Sequence, residues 1–313
     1  MTTAFVFPGQ GAQAVGMGRD LASAEAARQV FALADATLGL AISRLCFEGP
    51  EQDLTATENA QPALLTMSVA VLAALAGGLD RIPAFVAERA QALAGHSLGE
   101  YSALVAAGAL DFPSALRLVR RRGELMAQAS GGAMAAIIGL DEGPLEQICQ
   151  AASAAHGAVV IANYNSSGQL VISGTAEGVA QAMADAKAQG AKRALPLKVS
   201  GAFHSPLMQD AADALAPDLR AAGFRDAAVP VFSNVTAQPL TSAGDFAPEL
   251  IAQITSPVRW IASAQQMAAG GVTRFVEIGA GSVLAGLLKR ITPEATLISV
   301  GGAPSVEAFL AAQ

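Results

Sequence analysis

The pentapeptide Gly95-His96-Ser97-Leu98-Gly99 sets a serine between two glycines in the pattern G-x-S-x-G, the sharp strand-to-helix elbow that exposes a serine Oγ. The glycines have a mechanical reason. Such a turn strains the backbone at the serine, and a side chain two residues to either side would collide with the adjoining strand and helix. Ser97 would then head a helix, where free backbone N–H groups and the dipole favour a developing oxyanion. A serine that only caps a helix uses the same residues, so a base is needed before Ser97 reads as a nucleophile. The chain offers three histidines. His96 adjoins the serine and should point away from it, and His156 follows a helical stretch of a separate segment. His204 remains, in the loop Ser200-Gly201-Ala202-Phe203-His204-Ser205-Pro206, the kind of place where catalytic groups tend to sit. No local pattern selects an acid to orient it.

Arg122 is the third candidate. A helical period over residues 113–128 puts Ala115, Leu118, Val119, Arg122, Leu125 and Met126 on one stripe, with Arg117, Arg120, Arg121 and Glu124 opposite. Arg122 therefore faces the core, where a guanidinium needs an anion or hydrogen-bond acceptors: an internal ion pair or a substrate carboxylate. The opposite arginines read as a solvated face or a local basic patch. Pro8-Gly9-Gln10-Gly11 resembles the glycine loops that lend a second N–H to an oxyanion hole. Neither a P-loop nor a dinucleotide fingerprint occurs in a strand-to-helix context.

The elements that must hold these groups alternate. Residues 4–7 and 91–94 read as strands, and 20–38, 98–107 and 113–128 as helices, which implies a parallel sheet covered on both faces. Residues 59–79 carry no charge over a length that could span a membrane, but they contain Asn59, Gln61, Pro62, Thr66 and Ser68 and lack flanking basic anchors. They read as a buried helix with Pro62 in its first turn, ending near Ala76. Texture changes at Ser130-Gly131-Gly132. From there a strand (133–140), helix (142–154), two strands (158–163 and 169–173) around the turn Asn165-Ser166-Ser167-Gly168, a helix (176–189) and a strand (192–197) give the split β-α-β-β-α-β order. Further strands are expected at 229–233, 274–278 and 296–300. The expected fold is thus a large, hydrolase-like α/β domain with a mostly parallel sheet, residues 1–128 and 198–313, carrying an inserted ferredoxin-like subdomain, 129–197.

With 313 residues, 52% of them hydrophobic, and mean hydropathy +0.42, the chain has apolar surface enough to fold. A net charge of −7 argues against nucleic acid as partner. Cys46 and Cys149 form no C-x-x-C pair, which fits a reducing cytoplasm, and no signal peptide is read at the N-terminus.

The motifs together resemble the malonyl-CoA:acyl-carrier-protein transacylases, an acyltransferase family of fatty-acid and polyketide synthesis. The likeness runs from Phe7-Pro8-Gly9-Gln10-Gly11 to Glu277-Ile278-Gly279. It takes in Gly95-His96-Ser97-Leu98-Gly99-Glu100-Tyr101-Ser102-Ala103-Leu104, Arg122-Gly123, Asn163-Tyr164-Asn165-Ser166-Ser167-Gly168-Gln169 and Ala202-Phe203-His204-Ser205-Pro206-Leu207-Met208. The resemblance implies Ser97 as nucleophile, His204 as base, Arg122 as clamp for the malonyl carboxylate, and the backbone N–H groups of Gln10 and Leu98 as oxyanion hole. It also implies that a backbone carbonyl near Gln253 orients the histidine, which would account for the missing acid. Gly279-Ala280-Gly281 and Ser166-Ser167-Gly168 depart from the family's usual Gly-Pro-Gly and Ser-Pro-Gly, at loop positions. Ala202-Phe203-His204 resembles the form associated with malonyl specificity.

The expected reaction takes malonyl-CoA as substrate and acyl carrier protein as partner, through a malonyl-serine, with no metal, bound cofactor or membrane. An acidic carrier would dock near Arg117, Arg120, Arg121, Lys192, Arg193, Lys289 and Arg290. Two other readings use the same residues: a serine esterase or thioesterase, which usually adds an acid third member, and a non-catalytic carrier-docking module.

Overall fold

The computed structural model describes residues 2–129, 131–199 and 201–312. Its strands are β1 (Thr2–Phe7), β2 (Ala92–Gly95), β3 (Gly132–Ile138), β4 (Val159–Ser166), β5 (Gln169–Thr175), β6 (Arg193–Pro196), β7 (Val231–Phe232), β8 (Pro239–Leu240), β9 (Val272–Ile278) and β10 (Thr296–Val300). The uninterrupted apolar run of β1 follows from its place inside a sheet covered on both sides. Ala4 and Val6 pack into one apolar cluster while Phe5 and Phe7 pack into another.

That sheet has the order β10-β9-β1-β2-β7-β8, parallel except where the short β8 returns against β7. Pairing in register sets Phe7 beside Gly95, and His96 N–H donates to the Phe7 carbonyl at 3.0 Å. The loops leaving β1 and β2 are therefore neighbours at the carboxyl ends of adjacent parallel strands, where sites form in open α/β sheets.

The second sheet, β4-β5-β3-β6, is antiparallel throughout. With helix Glu142–His156 between β3 and β4 and helix Ala176–Ala188 between β5 and β6, it has the split order read from the sequence. Ala135 and Ile137 join these helices in a cluster of their own, whereas Met134 turns toward the core around the first sheet. The junction residues Ser130 and Ser200 lie outside the described residues.

Several boundaries differ from the sequence reading. The 165–168 turn is tighter: β4 runs on to Ser166 and only Ser167 and Gly168 reverse the chain. Residues 20–38 divide into a 3-10 turn, Asp20–Ser23, and a helix, Glu25–Leu38. Of 229–233 only Val231 and Phe232 pair as strand. The apolar helix begins at Thr57 rather than at Pro62 and runs to Ala76, enclosed by the core along most of its length. Pro62 thus lies inside it, and having no N–H it leaves the Glu58 carbonyl without its intrahelical partner. Arg120 Nη1 donates to that carbonyl at 3.1 Å, replacing the missing bond from another helix. This also corrects the view of Arg120 as part of a solvated face: it is half-buried and bonds Asn59 and Glu124 as well.

Candidate active site

Ser97 has φ +51°, in the left-handed region, as the strained elbow requires. A Cβ on Gly95 would stand 1.8 Å from the Gly99 carbonyl carbon, and one on Gly99 would stand 2.1 Å from the Phe7 oxygen. Neither position admits a side chain. An unforeseen residue secures the turn: Asn234 Oδ1 accepts from Ser97 N–H at 2.7 Å while its Nδ2 donates to the Gly95 carbonyl at 2.7 Å.

Ser97 Oγ lies 2.8 Å from His204 Nε2. His204 Nδ1 faces two carbonyl oxygens, of Gln253 at 2.9 Å and Ser256 at 3.2 Å, so the proton resides on Nδ1 and Nε2 presents a lone pair to the hydroxyl. Burial, and then the Arg122 cation beside it, push the imidazole down to about 3, so it is neutral and able to accept a proton across the working pH range. The other histidines stand apart from this contact. His96 Nε2 pairs with Asn165 Oδ1 at 2.8 Å, and His156 is exposed at the end of its helix.

Arg122 is 1% exposed, on the buried side of helix Phe112–Gln128. Gly123 beside it lets this helix touch helix Thr57–Ala76, since a Cβ there would come within 2.7 Å of Glu58 Cα. Across that contact Arg122 Nη1 donates to Gln61 Oε1 at 2.8 Å, and Nη2 donates to Gln253 Oε1 and to Ser97 Oγ, each at 3.0 Å. Nε has no acceptor among the described residues. No described carboxylate forms an ion pair with Arg122. Of the two partners considered for it from the sequence, the internal ion pair is therefore not what the chain provides. Its acceptors are two neutral amide oxygens and the Ser97 hydroxyl, and no described carboxylate bonds it.

Gln253 does more than lend a carbonyl. Its Nε2 donates to the Ser97 carbonyl at 3.0 Å and to Glu100 Oε2 at 2.8 Å, so one side chain joins the serine, the arginine and a buried acid. Glu100, Gln61 and Asn234 were not selected from the sequence as site residues. A glutamine inside an uncharged apolar helix was the one legible signal for Gln61.

These groups border a cavity of about 300 Å³. Gln10 and Leu98 stand at its rim, and no protein acceptor takes either backbone N–H among the described residues. Met126, Met134 and Phe203 supply apolar wall. The geometry can deprotonate a hydroxyl, offer two N–H groups to an oxyanion and meet an anionic substituent with Arg122.

Residues 4–301 match the family model described as acyl transferase domain. The malonyl CoA-acyl carrier protein transacylase of Bacillus subtilis is 49% identical over 309 residues, covering 97% of this chain and 95% of that protein. That of Escherichia coli K12 is 45% identical over 312 residues, 98% of each. Among solved structures, the acyl-carrier-protein-S-malonyltransferase of Bartonella henselae superposes with TM-score 0.93 at 42% identity, covering 100% of this chain and 99% of that one. A type II PKS acyl-carrier protein in complex with its malonyl-transacylase gives 0.92 at 41%, with 100% of each chain covered.

Proposed function

The chain belongs to the acyl transferase family, and from that premise we propose that it moves a malonyl group from malonyl-CoA to the phosphopantetheine thiol of acyl carrier protein. In the first half-reaction His204 Nε2 takes the Ser97 proton as Oγ bonds the thioester carbonyl carbon. The N–H groups of Gln10 and Leu98 receive the oxyanion, the C–S bond breaks, and CoA sulfur leaves with the proton from His204. In the second, His204 takes the carrier thiol's proton, sulfur bonds the ester carbonyl, and Ser97 Oγ recovers the proton on release. Arg122 holds the malonyl carboxylate, which stands one methylene from the reacting carbon. The residues named carry every proton, so the steps as written call on no bound cofactor.

The observation that carries this reading is Arg122, a buried guanidinium donating to Ser97 Oγ at 3.0 Å with only neutral protein acceptors. A generic esterase has no use for it. The two sheets, with the separate apolar cluster of the second, support a division into 1–128 with 198–313 and an inserted 129–197. The buried free thiols of Cys46 and Cys149 suit a cytoplasmic setting. Intact mass after brief exposure to malonyl-CoA tests the function: one malonyl adduct on the wild type and none on Ser97→Ala is expected, and an adduct persisting on Ser97→Ala would defeat it.

A further inference from the structure

Behind the elbow lie two buried acids, neither of them in an ion pair with a base among the described residues. Glu100 is 1% exposed, on the helix that follows Ser97, and Glu249 is 8% exposed on helix Ala243–Thr255. Glu249 stands close enough to Glu100 to raise its carboxyl by repulsion. Two of their oxygens have backbone or amide donors: Glu100 Oε2 accepts from Gln253 Nε2 at 2.8 Å and from Asn234 N–H at 3.2 Å, and Glu249 Oε1 accepts from Val235 N–H at 3.1 Å.

The orientation of Gln253 follows from this arrangement. Its amide has an acceptor end and a donor end, and they serve opposite neighbours. With Nε2 drawn to Glu100 Oε2 and the Ser97 carbonyl, Oε1 is the end left facing Arg122 Nη2. Reversed, the amide would set its N–H groups against a guanidinium that has no acceptor capacity, and the arginine would turn elsewhere. We propose that Glu100 is a positioning residue for acyl-group selection: it fixes the Gln253 amide so that Arg122 is held beside Ser97 by a neutral oxygen with its charge free for the substrate carboxylate.

Glu249 has a lesser part, since no hydrogen bond joins it to Gln253 or Arg122 among the described residues. Burial raises both carboxyls, Glu100 the further because Glu249 adds repulsion. Glutamine at position 249 removes that repulsion and leaves the Glu100–Gln253 bond in place. Glutamine at position 100 has lost an oxygen acceptor and can present N–H groups to Gln253, inviting the reversal.

The inference rests on malonyl transfer as the reaction, and its test separates the two. Malonyl-CoA and acetyl-CoA would be compared by kcat/KM in the wild type, Glu100→Gln and Glu249→Gln, each confirmed as folded by circular dichroism. Expected is a malonyl/acetyl ratio lowered about tenfold or more in Glu100→Gln, chiefly through KM for malonyl-CoA, as loss of a charge-assisted hydrogen bond implies. In Glu249→Gln the ratio stays within about twofold of wild type. An unchanged ratio in Glu100→Gln, or an equal fall in both variants, would overturn the positioning role while leaving malonyl transfer intact. A wild type that does not prefer malonyl-CoA would instead defeat the functional reading itself.

Discussion

Arg122 and His204 meet the same hydroxyl from two sides, at 3.0 and 2.8 Å, and each alters the other. The guanidinium is a cause of the low imidazole value, so a bound malonyl carboxylate, by neutralising it, should make His204 a stronger base when the correct substrate is present. Arg122→Ala therefore has two expected readouts. A guanidinium–carboxylate contact contributes about 1.5–3 kcal/mol, so the malonyl/acetyl ratio of kcat/KM falls roughly 10–100-fold. Acetyl transfer survives, and the acid limb of its pH–rate profile moves upward, because one of the influences holding the imidazole down is gone. In the wild type that limb lies below the ordinary histidine value of ~6.5. An unshifted limb in Arg122→Ala would show that the two groups do not interact. Ser97 and Arg122 were legible because a motif and a helical stripe mark them. The orientation of His204 was not legible from local pattern, since every residue has a backbone carbonyl and only the fold decides that those of Gln253 and Ser256 face the ring.

The helices place these groups through contacts that sequence periodicity does not contain. Pro62 looked like a helix start because proline favours the first turn. It stands inside helix Thr57–Ala76 because Arg120, from helix Phe112–Gln128, takes over the Glu58 carbonyl. The compensation is non-local, and it joins the same two helices whose contact brings Gln61 to Arg122. A double-mutant cycle tests it by urea unfolding. Arg120→Met alone is expected to cost about 1 kcal/mol or more, while in a Pro62→Ala background, where residue 62 regains an N–H, it costs less, with coupling of about 1 kcal/mol. Strict additivity would mean that the arginine and the proline are unrelated. The alternation of strands and helices was legible up to residue 197, and β7 was read within 229–233 but overextended, whereas the two-residue β8 was not read: at that length, pairing partners rather than propensity decide the state.

Burial pushes several ionisable groups toward their neutral forms, and they act on stability with opposite signs. His204 binds a proton near ~6.5 when unfolded but only near about 3 when folded, so its contribution is complete above ~6.5 and is lost as pH falls toward 3. Glu100, Glu249 and Glu277 are raised by burial, so theirs is complete below the unfolded carboxyl value of ~4.3 and is lost as pH rises through their folded values. The two windows overlap above ~4.3, where the histidine and the carboxyls oppose one another, so only the part of the curve below ~4.3 reports His204 without them. His204→Ala should lower the slope of unfolding free energy against pH below ~6.5 and leave it unchanged above, read between about pH 4 and pH 8; a slope below ~6.5 equal to that of the wild type would assign it to other groups.

The position of β1 bears on the chain's birth as well as on its finished form. β1 lies between β2 and β9, so after β1 has been made one of its edges stays open until residues 272–278 arrive. Over that interval of about 265 residues, an apolar strand with unpaired N–H and C=O groups is open to other chains. Long-range closure of this kind is slow, and until β9 arrives the open edge is where wrong pairing would begin.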